Sequence, residues 1–202
     1  MFHVKLFKNN IDFKSFLQVS TPKINDNFGV VFITGYQGSG KTYFAVYWLY
    51  KYANNKKHIY TNIKSLKGFE NITYFELLDE ITDNIESDCI FIIDEISKKY
   101  TKECKQDRKL YSWLQQSRKR RRQVLLITQE YVQIPVWLRG IARYVYTTHK
   151  MPMLPIFVTE KGVACLDDET KEWYVVPEER YLYKRTKKIS QLYDTMEPIP
   201  TL

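Results

Sequence analysis

The 202-residue chain carries 31 lysines and arginines against 23 aspartates and glutamates, a formal net charge of +8 that suits either a polyanionic partner or a plain solvated surface. Its 44% hydrophobic and 27% charged content excludes a disordered chain, and its length is enough to bury a core without staples. Three cysteines, Cys89, Cys104 and Cys165, lack metal-site spacing and point to a reducing compartment, and no apolar run approaches the roughly 18 to 20 residues of a membrane span.

In chain order, residues 1–28 read as a peripheral strand or helix followed by the loop "TPKINDN"; the opening "MFHVKLFKNNIDFKSF" is too interrupted by Lys and Asn for a signal peptide. Strand and helix then alternate. Val30–Thr34 is a buried strand, and Thr42–Tyr52 a helix with Phe44, Val46, Tyr47 and Tyr50 available for its inner face. A short strand follows around His58–Asn62, an amphipathic helix around Phe75–Ile81, and the apolar strand Cys89–Asp94. "DRKLYSWLQQSRKR" places Leu110, Trp113 and Leu114 at i, i+3, i+4 and is a helix; "QVLLITQ" is a strand. Pro135 opens a short helix in "PVWLRGI", and "RYVYTTH" is a further strand. Same-direction strands need crossovers, so the pattern predicts an α/β fold with a mostly parallel sheet covered by helices on both faces. After about residue 150, short antiparallel strands are expected with turns at Lys161-Gly162 and Asp167-Asp168. The basic tail beyond has too little apolar surface to fold alone; the expectation is that it wraps a neighbour, binds a capsid or membrane component, or stays disordered. The expectation is one domain, with a peripheral segment (1–28), a core (29–149) and a β-rich extension with tail (150–202).

The chemistry starts at "GYQGSGKT", which matches G-x-x-x-x-G-K-[ST] with a strand before it and a helix after it. Gly35, Gly38 and Gly40 let the backbone curl, so that Gly35, Tyr36, Gln37, Gly38, Ser39, Gly40, Lys41, Thr42 and Tyr43 form a nest of N–H groups at a helix N-terminus that favours an anion. Lys41 would reach the β and γ phosphates of a nucleoside triphosphate and the Thr42 hydroxyl a Mg²⁺ ion; ATP and GTP both fit the pattern. In "CIFIIDEI", Asp94 comes 53 residues after Lys41. An apolar strand carries its first polar residues at its C-terminal edge, where open parallel sheets bind ligands. Asp94 is therefore placed to hold Mg²⁺ and Glu95 to orient and deprotonate water, unless the pair only caps the next segment. Thr128 and Gln129, ending "QVLLITQE", are placed to sense a γ phosphate or are an exposed strand end.

Together these elements resemble the additional-strand catalytic-glutamate class of P-loop ATPases, and within it the FtsK–HerA superfamily of DNA-pumping ATPases. The chain is similar to the genome-packaging ATPases of tailless, membrane-containing viruses and to the zonula-occludens-toxin-like proteins of filamentous phages, over about residues 29–149. "YTNIKSL", Tyr60 to Leu66, is similar to a segment after the second strand in the toxin-like group. "SRKRRRQVLLITQ" resembles the stretch in which a helix ends in an Arg ten residues before a sensor Thr, here Arg118 before Thr128. The chain departs from that pattern at Lys119 and the following arginines, where the family often has His and Gly. It also shows neither the transmembrane segment nor the second domain usual in the filamentous-phage proteins, which favours packaging over extrusion.

The resemblance implies ATP and Mg²⁺ as cofactors, with Lys41, Glu95 and Gln129 catalytic and Arg118 an arginine finger for a neighbouring subunit, Arg139 and Arg143 standing in reserve. It implies a homo-oligomeric ring, hexameric or pentameric, moving double-stranded DNA in the host cytoplasm or at a virion's packaging vertex, docked on capsid or internal-membrane proteins. Lys119, Arg120, Arg121 and Arg122, with Lys102, Lys105, Arg108 and Lys109 upstream, would then face DNA. The alternative for the basic run is a solvated helix end, whose cations gain about 0.3 to 1 kcal/mol each from the helix dipole.

Two other functions fit the motifs. A nucleoside or nucleotide kinase would use "RKRRR" as a lid over the donor phosphates, although Glu95 and Gln129 speak against it. A morphogenesis factor of the filamentous-phage kind would use nucleotide as a switch or not at all.

Overall fold

The computed structural model describes residues 28–52, 57–83, 86–170 and 173–194; the expected peripheral segment before Phe28 and the end of the tail lie outside them. Strand β1, Gly29–Thr34, turns Val30 and Phe32 to one side of the sheet and Val31 and Ile33 to the other, the period of two in a strand covered on both faces. The same division holds in β4, Ile90–Ile93, and β5, Gln123–Ile127. With β2 (Ile59–Thr61), β3 (Ile72–Tyr74) and β6 (Tyr144–Lys150) they form a parallel block in the order β3-β2-β4-β5-β1-β6. β7, Ile156–Leu166, and β8, Trp173–Lys184, add antiparallel to β6 and complete an eight-stranded sheet. The fold is α/β with a mostly parallel sheet and an antiparallel C-terminal extension, in line with the expectation.

Helix α1, Lys41–Tyr52, covers one face, where Phe44 and Trp48 each stand 5.3 Å from the ring of Tyr146. Helices α2 (Leu78–Thr82), α3 (Arg108–Gln116) and α4 (Val136–Arg139) cover the other through Leu78, Ile81, Leu110, Trp113, Leu114 and Leu138. The inner face of α1 is wider than its expected set: Trp48 and Leu49 are buried, whereas Tyr50 is exposed. All three cysteines are free, and burial pushes the Cys89 thiol up to about 11, so it behaves as a small apolar group. Among the described residues no helix is long and apolar enough to cross a membrane.

Two expectations about the C-terminal third change. Lys161-Gly162 is no turn, because β7 runs straight through it with a register shift. A Cβ on Gly162 would lie 2.5 Å from Val175 Cγ1 and 2.6 Å from Val176 O, so glycine marks a bulge where β8 comes close. The basic tail is also not loose up to Asp194. Thr186 caps a short helix α5, Lys187–Ser190, and Ile189 and Tyr193 bury themselves in the cluster around α1. The Tyr43 hydroxyl donates to Lys184 O at 3.3 Å and accepts from Thr186 N–H at 2.9 Å, and Lys67 N–H donates to Leu192 O at 2.8 Å. A segment with few apolar residues holds its place because each lands on a surface that is already folded.

Candidate nucleotide site

The glycine-rich turn leaves β1 at the C-terminal edge of the parallel block, in the middle of the sheet. Gly35 (φ +143°) and Gly40 (φ +94°) have backbones that side chains rarely adopt, and neither has room for one. A Cβ on Gly35 would meet Thr148 O at 2.5 Å, and one on Gly40 the Phe157 ring at 2.5 Å. The loop closes through Ser39 N–H to Tyr36 O at 3.0 Å, while the Ser39 hydroxyl pairs with Thr148 Oγ1 at 2.9 Å behind it. The first helical bond after the loop is Phe44 N–H to Gly40 O, so the N–H groups of Lys41, Thr42 and Tyr43 precede it at the positive end of α1. Tyr36, Gln37 and Gly38 face solvent; the Tyr43 side chain is buried in a stack with Phe157 and Tyr183, so Tyr43 offers its backbone alone. Lys41 Nζ bonds Gly35 O at 2.9 Å and Tyr36 O at 3.2 Å, spanning the loop mouth. Burial holds its pKa below the usual lysine value, against the pull of Asp94 and Glu95.

Asp94 meets this loop from β4. Its Oδ2 accepts from Thr42 Oγ1 at 2.9 Å and its Oδ1 from Glu95 N–H at 2.8 Å. Burial raises its pKa above the ordinary carboxylate value, with the Thr42 bond opposing and the Glu95 charge adding to the rise. Asn62, fully buried at the end of β2, grips the Asp94 backbone: its Nδ2 donates to Asp94 O at 2.9 Å and its Oδ1 accepts Asp94 N–H at 2.8 Å. Glu95 turns away from the strand in a left-handed conformation and is half-buried, with Oε2 2.6 Å from Lys98 Nζ. A hydroxyl and a carboxylate side by side, beside a phosphate cradle, fit Mg²⁺, an oxygen-seeking ion that takes one or two carboxylates and completes its shell with substrate phosphates and water. Among the described residues no cluster of three or more acidic, His or Cys groups is placed to hold a metal ion.

The other candidates divide. Gln129 belongs to the site's edge: its carbonyl accepts both Gly35 N–H at 3.1 Å and Thr34 Oγ1 at 3.0 Å, and it lines a cleft of about 490 Å³ with Tyr36, His149 and Trp173. Thr128, expected as a sensor, is fully buried and spends its hydroxyl on Glu130 O at 3.4 Å. The run from Arg118 to Arg122 lies at the opposite edge of the sheet, where Gly29 N–H bonds Arg122 O. A five- or six-residue strand, about 17 to 20 Å, separates it from the cradle, so Arg118 cannot reach the cradle of its own chain.

Arg118, Lys119 and Arg121 are exposed and Arg120 is half-buried. Arg122, expected among the DNA contacts, is 1% exposed: its Nε donates to Glu86 O at 2.7 Å and its guanidinium lies 4.9 Å from the Trp113 ring. It is a core residue. Arg139, a reserve finger, is likewise buried, beside the Tyr131 ring, while Arg143 is exposed at the start of β6. Sequence reasoning missed Asn62, Lys98 and the Ser39–Thr148 brace. Asn62 had a signal, a polar residue ending an apolar strand; Lys98 had its i+3 spacing from Glu95.

The sequence profile of the zonular occludens toxin (Zot) family matches residues 29–195. The chain belongs to the Zot family. The match bears out the resemblance to the toxin-like group, and it includes the segment docked beside α1. No curated protein sequence matches. Among solved structures, the N-terminal domain of zonular occludens toxin from Neisseria meningitidis aligns with a TM-score of 0.59 at 23% identity, covering 82% of this chain and 98% of that one. The genome packaging NTPase B204 from Sulfolobus turreted icosahedral virus 2, in complex with ATP-gammaS, aligns at 0.51 with 12% identity, covering 77% and 99%. The RadB recombinase aligns at 0.51 with 14% identity, covering 78% and 87%. This Zot-family chain therefore shares the P-loop NTPase fold.

Proposed function

We propose that this Zot-family protein is a Mg²⁺-dependent ATPase that works as a homo-oligomeric ring and uses hydrolysis to move DNA during phage assembly. One observation carries the reading: Thr42 Oγ1 lies 2.9 Å from Asp94 Oδ2, which brings the two halves of a metal–nucleotide site into one corner with Lys41 and Glu95 beside them. The backbone cradle binds the phosphates, and Lys41 moves from its own loop carbonyls to neutralise the β and γ groups. Thr42 and Asp94 would hold Mg²⁺, which supplies charge neutralisation on the transferred phosphoryl group. Glu95 takes the proton of the attacking water. Gln129, whose carbonyl is bonded to the start of the cradle, links the state of the loop to β5 and, at the far end of that strand, to Arg118.

The distance between Arg118 and its own site supports an action in trans, where an arginine finger is worth roughly 10³- to 10⁵-fold in turnover. The family match weighs toward phage assembly over the filling of a capsid. The kinase reading loses its lid, because the basic run sits at the wrong edge of the sheet to close over the phosphates. The test is phosphate release from Mg²⁺·ATP with and without duplex or single-stranded DNA, alongside a mass measurement with nucleotide bound. DNA-stimulated release lost in Lys41→Ala and Glu95→Gln, from an oligomer, supports the proposal; a monomer whose release ignores DNA of every kind rejects the motor.

A further inference from the structure

Glu95 is ion-paired where a general base needs to be unencumbered. Its Oε2 lies 2.6 Å from Lys98 Nζ across one 3-10 turn, Ile96–Lys98. The turn is fixed at its start. Glu95 enters it with a left-handed backbone (φ 54°, ψ 44°), and Ile96 is completely buried in the core. The pair itself sits on the rim, its side chains 30% and 41% exposed, so a solute can reach the ammonium from outside.

The following loop carries Lys99, Lys102 and Lys105 against the single acid Glu103. It is also held in shape: Tyr100 is buried with its hydroxyl on Asp107, and Trp137 Nε1 donates to Cys104 O at 3.2 Å. A fixed cationic loop therefore continues directly from the residue that neutralises the base, on the same edge of the sheet as the phosphate cradle.

We propose that Lys98 is a positioning residue for Glu95 and the point at which nucleic acid controls hydrolysis. With no nucleic acid present, Lys98 holds the carboxylate against the 3-10 turn. A phosphodiester group arriving on the Lys98–Lys105 loop competes for the ammonium, and Glu95 is then released to accept the proton of the attacking water. This inference rests on the proposed DNA-handling ATPase. It adds where the DNA signal enters, at the edge that bears Glu95 and away from the Arg118–Arg121 turn.

Two readouts on the same proteins test it: duplex DNA affinity against salt without nucleotide, and phosphate release with and without that DNA, for wild type, Lys98→Gln and Lys98→Arg. Losing one phosphate contact lowers the slope of log K against log salt by about 0.9 in Lys98→Gln. An exposed ion pair is a weak restraint, so Lys98→Gln raises basal release by only about two- to fivefold. Its stimulation by DNA falls toward one, and Lys98→Arg restores both behaviours. An unchanged salt slope in Lys98→Gln with full DNA stimulation overturns the role of Lys98 while leaving the motor reading intact, and so does an equal fall in basal and stimulated rates. A wild-type protein that neither binds duplex nor hydrolyses ATP overturns both.

Discussion

Replacing Asn62 by alanine removes a side chain that serves as an extra rung of the sheet. β2 ends at Thr61, yet the Asn62 carboxamide continues the ladder by making both backbone hydrogen bonds to Asp94, at 2.9 and 2.8 Å, with no exposure to solvent. Alanine leaves one buried N–H and one buried C=O without partners, at about 1 to 3 kcal/mol each. A water entering the vacated space recovers part of that, so the expected loss is about 2 to 4 kcal/mol, a large share of the roughly 5 to 15 kcal/mol that holds a domain folded. The second consequence is catalytic, because Asp94 and Glu95 take their positions from this grip and a shift of about 1 Å in a reacting group costs on the order of 10²-fold in rate. Urea unfolding of the nucleotide-free protein, read at constant m, measures the first effect, and phosphate release at saturating Mg²⁺·ATP the second. An unfolding free energy within about 0.5 kcal/mol of wild type, together with unchanged turnover, would falsify the claim that Asn62 sets the metal corner.

Other consequences are open to direct measurement. Gly40→Ala, whose Cβ would meet the Phe157 ring at 2.5 Å, is expected to lower the melting temperature and abolish nucleotide binding. Gly38→Ala, with φ +74° but open space, should lose only the roughly 1 to 2 kcal/mol of left-handed strain. Equal effects from the two would show that Phe157 does not constrain the cradle. Arg122→Ala should cost stability by about 2 to 4 kcal/mol through its lost hydrogen bond and packing, whereas Arg118→Ala and Lys119→Ala should stay within about 0.5 kcal/mol in chemical denaturation.

Asp107 caps α3. Burial alone would raise its pKa, but hydrogen bonds from the Tyr100 hydroxyl and the Leu110 N–H outweigh that and hold it below the ordinary value. With the folded pKa below the unfolded one, its stabilisation is complete above the usual carboxylate value of about 3.9 and is lost as pH falls through the lower folded value. Asp107→Ala should therefore remove about 1 kcal/mol at neutral pH and flatten the acid limb of a plot of urea midpoint against pH. A parallel acid limb in the variant would contradict the assignment.

The parts of the fold that follow from local rules were legible in advance. The parallel strands announce themselves as apolar runs because both faces are covered, and the glycine spacing of the cradle reflects backbone constraints that no other residue satisfies. Leu110, Trp113 and Leu114 all turned inward as their spacing required. What escaped depends on contacts between distant segments. β3 is a three-residue edge strand, two of its side chains exposed, so it carries no apolar signature. Arg122 differs from its neighbours in that it falls where the chain turns into β5 over Trp113, and a run of identical charges hides that distinction. The tail looked too poor in apolar residues to fold because Ile189 and Tyr193 gain their burial from α1, far away in sequence. Asn62 acts on a residue that was identified, Asp94, but through geometry that appears only once β2 lies beside β4, whereas Lys98 reaches Glu95 across a single local turn.

The central claim is that the Gly35–Thr42 cradle, facing Asp94 and Glu95, binds and hydrolyses a metal-bound nucleoside triphosphate. The measurement that tests it most directly is phosphate release from saturating Mg²⁺·ATP by Glu95→Gln beside wild type, with the dissociation constant of each determined by calorimetry. The account predicts nearly equal affinities and a turnover lower by about 10²- to 10⁴-fold in the variant. Wild-type turnover in Glu95→Gln, or no detectable nucleotide binding in either protein, would contradict it.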